Sequence, residues 1–252
     1  MGLFYECGNG WADTKFAKKD MGLDAFLCCP GPSLVPVERG RGRKVFAVNT
    51  AYPKVIPDVW VGMDHLECYD RGLWGESFMK ILRGNYGEQE YNGKAVKYHP
   101  ETYFASLEKP KTSMFHLRQH TSKFVWYKHT LGVAIHIMIW MGARRIYFVG
   151  CDLGGERDYY DDRKLDAGLK KYNRKLYSNQ VEFLRKHTLE AKAYGIEFIS
   201  CSPDSPINEY MDYVNVDEAI RRSEEAVSYR DEPILHAKEA DAIRKANADT
   251  GN

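Results

Sequence analysis

The chain has 252 residues, 44% hydrophobic and 28% charged, which is enough for one large α/β domain with a full core. Its formal net charge of +1 provides no global field for nucleic acid or an anionic membrane, so neither is expected as a partner. The six cysteines include no C-x-x-C pair, which argues against a zinc site and for unpaired thiols in a reducing, cytoplasmic setting.

Residues Met1 to Asp20 lack a sustained apolar core, so no signal peptide is expected. The first strong signal is Asp24-Ala-Phe-Leu-Cys-Cys-Pro-Gly-Pro-Ser-Leu34. Ala25–Cys29 reads as a buried strand running into a tight turn. Pro30 and Pro32 preset φ, and Gly31 puts no Cβ in the way. A strand ending in such a turn, at the first crossover of a parallel sheet, is where open α/β folds bind nucleotides. Val45–Asn49, Val59–Met63, Arg145–Cys151 and Ile196–Cys201 are further apolar runs bounded by turn residues, the pattern of parallel strands covered on both faces.

The segment from Asp70 to Thr121 carries scattered glycines and tyrosines and few periodic runs. It reads as an insertion of short strands and loops forming a lid or cleft wall. Lys123–Met141 reads as a helix that is apolar all round in its second half, hence buried, and too short to span a bilayer. Leu176–Tyr194 reads as a more amphipathic helix. The order helix–Gly–strand then recurs, which suggests right-handed βαβ crossovers. Asp217–Arg230 and Glu232–Asn247 read as charged helices. The expected architecture is a single α/β domain over 1–252: an open Rossmann-like, mostly parallel sheet flanked by helices. Its nucleotide-binding core is 22–69 and 122–215, with 70–121 as the insertion and 216–252 as a helical tail.

Four landmarks follow one another in order: Gly31-Pro-Ser-Leu34, Val45-Phe-Ala-Val-Asn49, Pro57-Asp-Val-Trp-Val-Gly-Met-Asp64 and Gly142-Ala-Arg-Arg-Ile-Tyr-Phe-Val-Gly-Cys-Asp152. In this the chain resembles a superfamily that includes bacterial family-42 sialyltransferases. The superfamily also holds Maf flagellin-glycosylation proteins, an archaeal hydroxymethylpterin diphosphokinase, and phage and bacterial proteins of unknown role. The resemblance covers roughly Ala25 to Tyr210 without the middle insertion. It implies a nucleotide-binding transferase, a glycosyltransferase using a nucleotide-sugar donor of the CMP type.

On this reading Gly31, Pro32 and Ser33 bring backbone close to phosphate, with the Ser33 hydroxyl as a further donor. Asn49 both donates and accepts, which suits a ribose, a phosphate or a sugar carboxylate. Asp64 holds a ribose hydroxyl or Mg, and Asp152 points into the same crevice. Thr130 and Gly132 match the family's Thr-Ser-Gly on the long helix, while Leu131 stands where the Ser would be. Of two tyrosines that steady the leaving phosphate, the first position reads Gly154 and the second Tyr160, or its neighbour Tyr159. The family's histidine base has no match near Tyr177 and Ser178. His129, directly before Thr130, is the replacement candidate, with a titration expected near neutral pH; His187 lies several turns away.

A second reading is an ATP- and Mg-dependent diphosphokinase, with Asp64, Asp152 and the acidic loop Asp158–Asp162 as carboxylate donors. A third is a nucleotide-binding accessory protein without catalysis. His116 and His120 read as surface residues and His136 as a satisfied core histidine. Arg41, Arg43 and Lys44 read as a solvated edge or a patch attracting donor phosphates, and Arg144 and Arg145 as solvated strand-entry residues. The donor and an unknown acceptor are the expected small-molecule partners; the oligomeric state is open, a homo-oligomer included.

Overall fold

The structure, a computed structural model, describes residues 3–7, 10–13, 24–40, 42–91, 93–110, 123–154, 159–161 and 163–225. Its strands are β1 (Leu3–Cys7), β2 (Gly10–Asp13), β3 (Asp24–Cys28), β4 (Arg43–Val48), β5 (Val59–Val61), β6 (Met79–Arg83), β7 (Glu90–Tyr91), β8 (Lys94–Ala95), β9 (Thr102–Ala105), β10 (Leu107–Glu108), β11 (Phe124–Val125), β12 (Arg145–Val149), β13 (Glu197–Ser200) and β14 (Asp212–Tyr213). The helices are α1 (Thr130–Trp140), α2 (Ala167–Ala193) and α3 (216–225).

Among the described residues, one ten-stranded sheet runs β14-β13-β12-β3-β4-β5-β6-β9-β1-β2. Every pairing from β14 to β9 is parallel; β1 and β2 close the far edge antiparallel. The chain leaves β3 toward β4, β5, β6 and β9, then returns to place β12 on the other side of β3. The strand order therefore reverses between β3 and β12. The loops leaving their carboxyl ends diverge there and open a crevice.

The core strands are apolar at every position because both faces are covered, yet they sort by a period of two. Ala25 and Leu27 of β3, Phe46 and Val48 of β4, and Ile146 and Phe148 of β12 pack under α1 and α2. Phe26 and Cys28, Val45 and Ala47, and Tyr147 and Val149 face the opposite layer, built from residues 51–104 and from Ala219 and Ile220 of α3. Helix α1 is buried from Thr130 to Ile139. Burying each isoleucine of that stretch is worth about 1.5–3 kcal/mol, so an all-apolar helix is stable only with sheet on one side and further chain on the other.

Several expectations are corrected. Part of the middle segment extends the sheet, β6 and β9 joining it in parallel; its described residues 70–110 do not line the cleft. Residues 111–122, with His116 and His120, lie outside the described residues. Helix α1 starts at Thr130 rather than Lys123, since Phe124 and Val125 form β11, paired with Leu107 and Glu108. Helix α2 starts at Ala167, nine residues before Leu176. Arg145 is not a solvated entry residue, because its guanidinium holds the buried Asp24 carboxylate at 2.9 and 2.8 Å. Arg43 is buried at the amino end of β4, donating to the Glu38 carbonyl and to Glu224, both at 2.8 Å. It therefore sits at the end of the sheet opposite the crevice. Arg41 and Glu232–Asn247 lie outside the described residues, and Asp217–Arg230 is described, as helix, only to residue 225.

Candidate functional site

The crevice is built on an interlock of two loops. The Cys29 amide donates to the Val149 carbonyl at 2.8 Å, the Gly31 amide to the Gly150 carbonyl at 2.9 Å, and the Leu34 amide to the Gly31 carbonyl at 3.0 Å. The Ser33 amide donates to Oδ2 of Asp152 at 3.0 Å. A Cβ at Gly31 would collide with that carboxylate and with the Gly150 carbonyl, so only glycine fits. Gly150 has φ +66°, and a Cβ there would strike the Cys29 carbonyl. From below, the Cys151 amide donates to Ser202 Oγ and Ser205 Oγ donates to the Cys151 carbonyl, both at 2.7 Å.

Gly31 and Pro32, expected from sequence to bind the nucleotide, line the cleft described below, but their turn offers it no free backbone amide. The two prolines have no N–H, and the amides of Gly31, Ser33 and Leu34 are all spent inside the protein. The turn has no backbone donor left for a ligand. It holds Asp152 instead, whose carboxylate takes the Ser33 amide. Ser33 is not a wall residue of the cleft; its Oγ is buried without a partner among the described residues.

Above the interlock lies a cleft of about 580 Å³, within the range that holds a whole small-molecule ligand. Asn49 and Thr50 line it from the end of β4, Asp64 and His65 from the end of β5, and Asp152 to Gly154 from the end of β12. Lys128 to Leu131 line it at the start of α1, and the first half of α2 closes the far side. Asn49, Asp64, Thr130 and Asp152, expected from sequence to share a groove, are brought together.

Three features mark this cleft as more than a packing gap. First, Asn49 Oδ1 and Thr50 Oγ1 are buried without hydrogen-bond partners among the described residues. Each such atom costs about 1–3 kcal/mol until something pairs with it. Second, non-glycine residues with positive φ gather here: Asn49 at +49°, Lys128 at +66° and Leu153 at +49° line the cleft, and of the described residues only Glu101 shares the property elsewhere. Strain of this kind collects where ligands are held. The Asn49 carbonyl is pinned by Trp60 Nε1 at 2.8 Å, which keeps the strained residue in place. Third, Lys128 brings a cation to the amino end of α1. The amides of Thr130 and Leu131 have no partner inside the helix there, and the helix dipole is positive.

His129 caps α1: its Nδ1 accepts from the Gly132 amide at 3.0 Å. Burial, and then the nearby His187, lower its pKa to about 4. The ring lines the cleft and caps α1, and its burial works against the titration near neutrality expected from sequence. Gly132 does not line the cleft. It is packed behind His129, where a Cβ would lie 2.9 Å from His129 Cε1 and 3.3 Å from Phe183. His187, distant in sequence, joins the same cluster: its ring packs on Phe183 and Tyr127 with centroids at 4.2 and 5.2 Å, and it donates from Nδ1 to the Phe183 carbonyl at 2.7 Å. His136 is a core residue, its Nδ1 accepting from the Val125 amide at 3.0 Å; its Nε2 has no partner among the described residues.

Tyr160 is not on the cleft wall. Its amide donates to the Pro30 carbonyl at 3.1 Å, and Lys54 Nζ lies 4.9 Å from its ring centroid, so it braces the turn from outside. Its neighbour Tyr159 lines the cleft, with the Arg163 guanidinium 4.6 Å over its ring. Arg163 in turn is forked onto the Asp161 carboxylate. Asp64 keeps its backbone through Tyr69, whose hydroxyl accepts from the Asp64 amide at 2.7 Å. Loss of water raises the pKa of its carboxyl, against the downward pull of His65 and Arg83. Among the described residues no three His, Cys, Asp or Glu side chains group as metal ligands; Asp158 and Asp162 lie outside them.

Sequence reasoning missed Thr50, Lys128, Arg163 and Asn173. Thr50 and Lys128 adjoin residues it did single out. The signal for Asn173 was the spacing of Leu169, Tyr172, Asn173, Leu176 and Tyr177, which puts them on one helical face. Arg163 carried none.

No family model matches the chain, and no curated protein does. Among solved structures it is similar to the sialyltransferase CstII from Campylobacter jejuni in complex with the substrate analogue CMP-3FNeuAc, at 16% identity and a TM-score of 0.42, over 76% of this chain and 86% of that one. It is likewise similar to CstII with cytidine-5'-monophosphate, at 14% identity and a TM-score of 0.45, over 76% of this chain and 85% of that one. No helix among the described residues is long and apolar enough to cross a membrane.

Proposed function

We propose that the chain is a nucleotide-binding transferase that takes a sugar from a nucleotide-sugar donor, a CMP-type donor being favoured. The observation that carries this reading is the cleft at the strand-order reversal, with Asn49, Asp64, Thr130 and Asp152 around it. The phosphate is assigned to the amino end of α1, with the amides of Thr130 and Leu131, the Thr130 hydroxyl and the Lys128 ammonium, all of cleft-lining residues, as its donors. This replaces the proline turn as phosphate site. Asn49 Oδ1 accepts from a ribose or sugar hydroxyl, Thr50 Oγ1 donates to a ribose oxygen or a sugar carboxylate, and the free oxygen of Asp152 orients a hydroxyl.

His129, neutral and capping, is not needed as a base. Asp64, with its pKa raised by desolvation, is the lining carboxyl moved toward the range in which it can take a proton from an acceptor hydroxyl.

The test is a thermal-shift panel of CMP, UDP, GDP, ADP and ATP, each with and without Mg. A ligand that binds only the folded chain raises the melting point by mass action. A CMP shift without Mg supports the proposal. A shift confined to ATP with Mg points to the phosphoryl-transfer alternative, and no shift with any nucleotide ends both.

A further inference from the structure

The first half of α2 is rich in charge, with Lys170, Lys171, Arg174 and Lys175, all exposed. None of them lines the cleft. The α2 residues that do are Leu169, Tyr172, Asn173, Leu176, Tyr177 and Gln180, recurring every three or four positions and therefore on one face. That wall carries two tyrosines, two leucines, two carboxamides and no formal charge. The charged groups that line the cleft, Lys128, Asp152, Asp64 and Arg163, come from outside α2.

Two features of the uncharged wall call for a ligand. Asn173 is only 5% exposed, and its Nδ2 has no hydrogen-bond partner among the described residues. A buried amide donor left this way is destabilising until a ligand acceptor reaches it. Tyr172 and Leu169, on the same face, are 62% and 41% exposed, which leaves an aromatic and a branched apolar side chain open to contact.

We infer that this wall is the acceptor subsite, that its occupant is an uncharged, hydroxyl-bearing sugar ring, and that Asn173 is a specificity-determining residue there. The inference rests on the transferase reading above. A sugar hydroxyl accepts from Asn173 Nδ2, Gln180 offers a second carboxamide two turns along, and the apolar C–H face of the ring lies on Tyr172. An anionic sugar is disfavoured on α2 because the helix gives the cleft no cation to offset a charge removed from water.

The test is saturation-transfer NMR on the full chain with methyl β-glucoside and, separately, glucuronate, each with and without CMP. Methyl glucoside is expected to receive saturation and glucuronate to receive none. Asn173→Leu weakens the glucoside signal about fivefold, the worth of one hydrogen bond, and leaves the CMP-induced melting shift unchanged. Because a buried substitution can harm folding, Tyr172→Ala, at an exposed position, is run alongside with the same expected loss. Equal signals for both sugars, no glucoside signal in wild type, or signals insensitive to both variants would overturn the inference. Failure of CMP to shift the melting point would strike the transferase reading instead, since sugar contact is read independently.

Discussion

The backbone amide of Ser33 donates to the side-chain carboxylate of Asp152 at 3.0 Å across 119 residues of sequence. That bond ties the loop after β3 to the loop after β12 at the point where the strand order reverses. It makes the proline turn a mount for a carboxylate. Charge-assisted bonds of this type are among the stronger single polar contacts.

Removing either half of the interlock should be costly. Asp152→Ala leaves the Ser33 amide unpaired and is expected to destabilise the chain by about 1–3 kcal/mol. Gly31→Ala forces a methyl group into the carboxylate and the Gly150 carbonyl, at about 1–3 kcal/mol. Urea unfolding at neutral pH measures both. Asp152→Asn retains an acceptor oxygen and should lie between wild type and Asp152→Ala.

Lys128 carries φ +66°, a conformation costing a non-glycine residue about 1–2 kcal/mol. Lys128→Gly should therefore raise stability by about 1 kcal/mol while weakening nucleotide binding. A melting curve and a binding titration on the same sample check the two opposite effects. A variant that gains neither stability nor a binding defect would remove Lys128 from the site.

Acid should unfold the protein through its buried imidazoles. Burial lowers the pKa of both His129 and His136 to about 4, whereas the unfolded chain titrates them near 6.5. Between those values the unfolded state binds more protons, so stability falls as pH drops from about 6.5 toward 4, by up to about 3 kcal/mol per histidine. Denaturant midpoints across that range test this. His136→Gln should flatten the acid limb.

Lys80 is fully buried, its ammonium donating to the carbonyls of Glu76 and Phe78 at 2.6 and 3.1 Å. Burial lowers its pKa to about 8, against the opposing pull of Glu101 and Glu76. Above that pH the unfolded chain holds the extra proton, so stability should rise from about pH 8 to 9.5 in wild type. Lys80→Met should show no such rise in urea unfolding.

What the sequence disclosed follows from burial. The strands β3, β4, β5, β12 and β13 are short apolar runs because both their faces are covered, and they were legible for that reason. β6 hid because Lys80 interrupts Met79–Arg83, although the fold buries that lysine on carbonyl groups. The start of α2 hid because its first turns face a cleft and use Tyr172 and Asn173 where a core-facing helix would use leucine. Asn49, Asp64 and Asp152 were legible as strand ends, and Thr130 only through the resemblance to the family's Thr-Ser-Gly. The pairing of Asp152 with Ser33, the exchange of Tyr160 for Tyr159 at the wall, and the capping by His129 are contacts between distant segments. No local pattern encodes them.

The central claim is that a nucleotide binds at the carboxyl ends of β3, β4 and β12 with its phosphate on the amino end of α1. Calorimetric titration of CMP into the wild-type chain and into Lys128→Gly tests it most directly. Saturable one-site binding is expected, weakened about tenfold or more in the variant, the worth of a charge-assisted phosphate contact. Equal affinity in the two proteins, or no heat of binding in wild type, would contradict it.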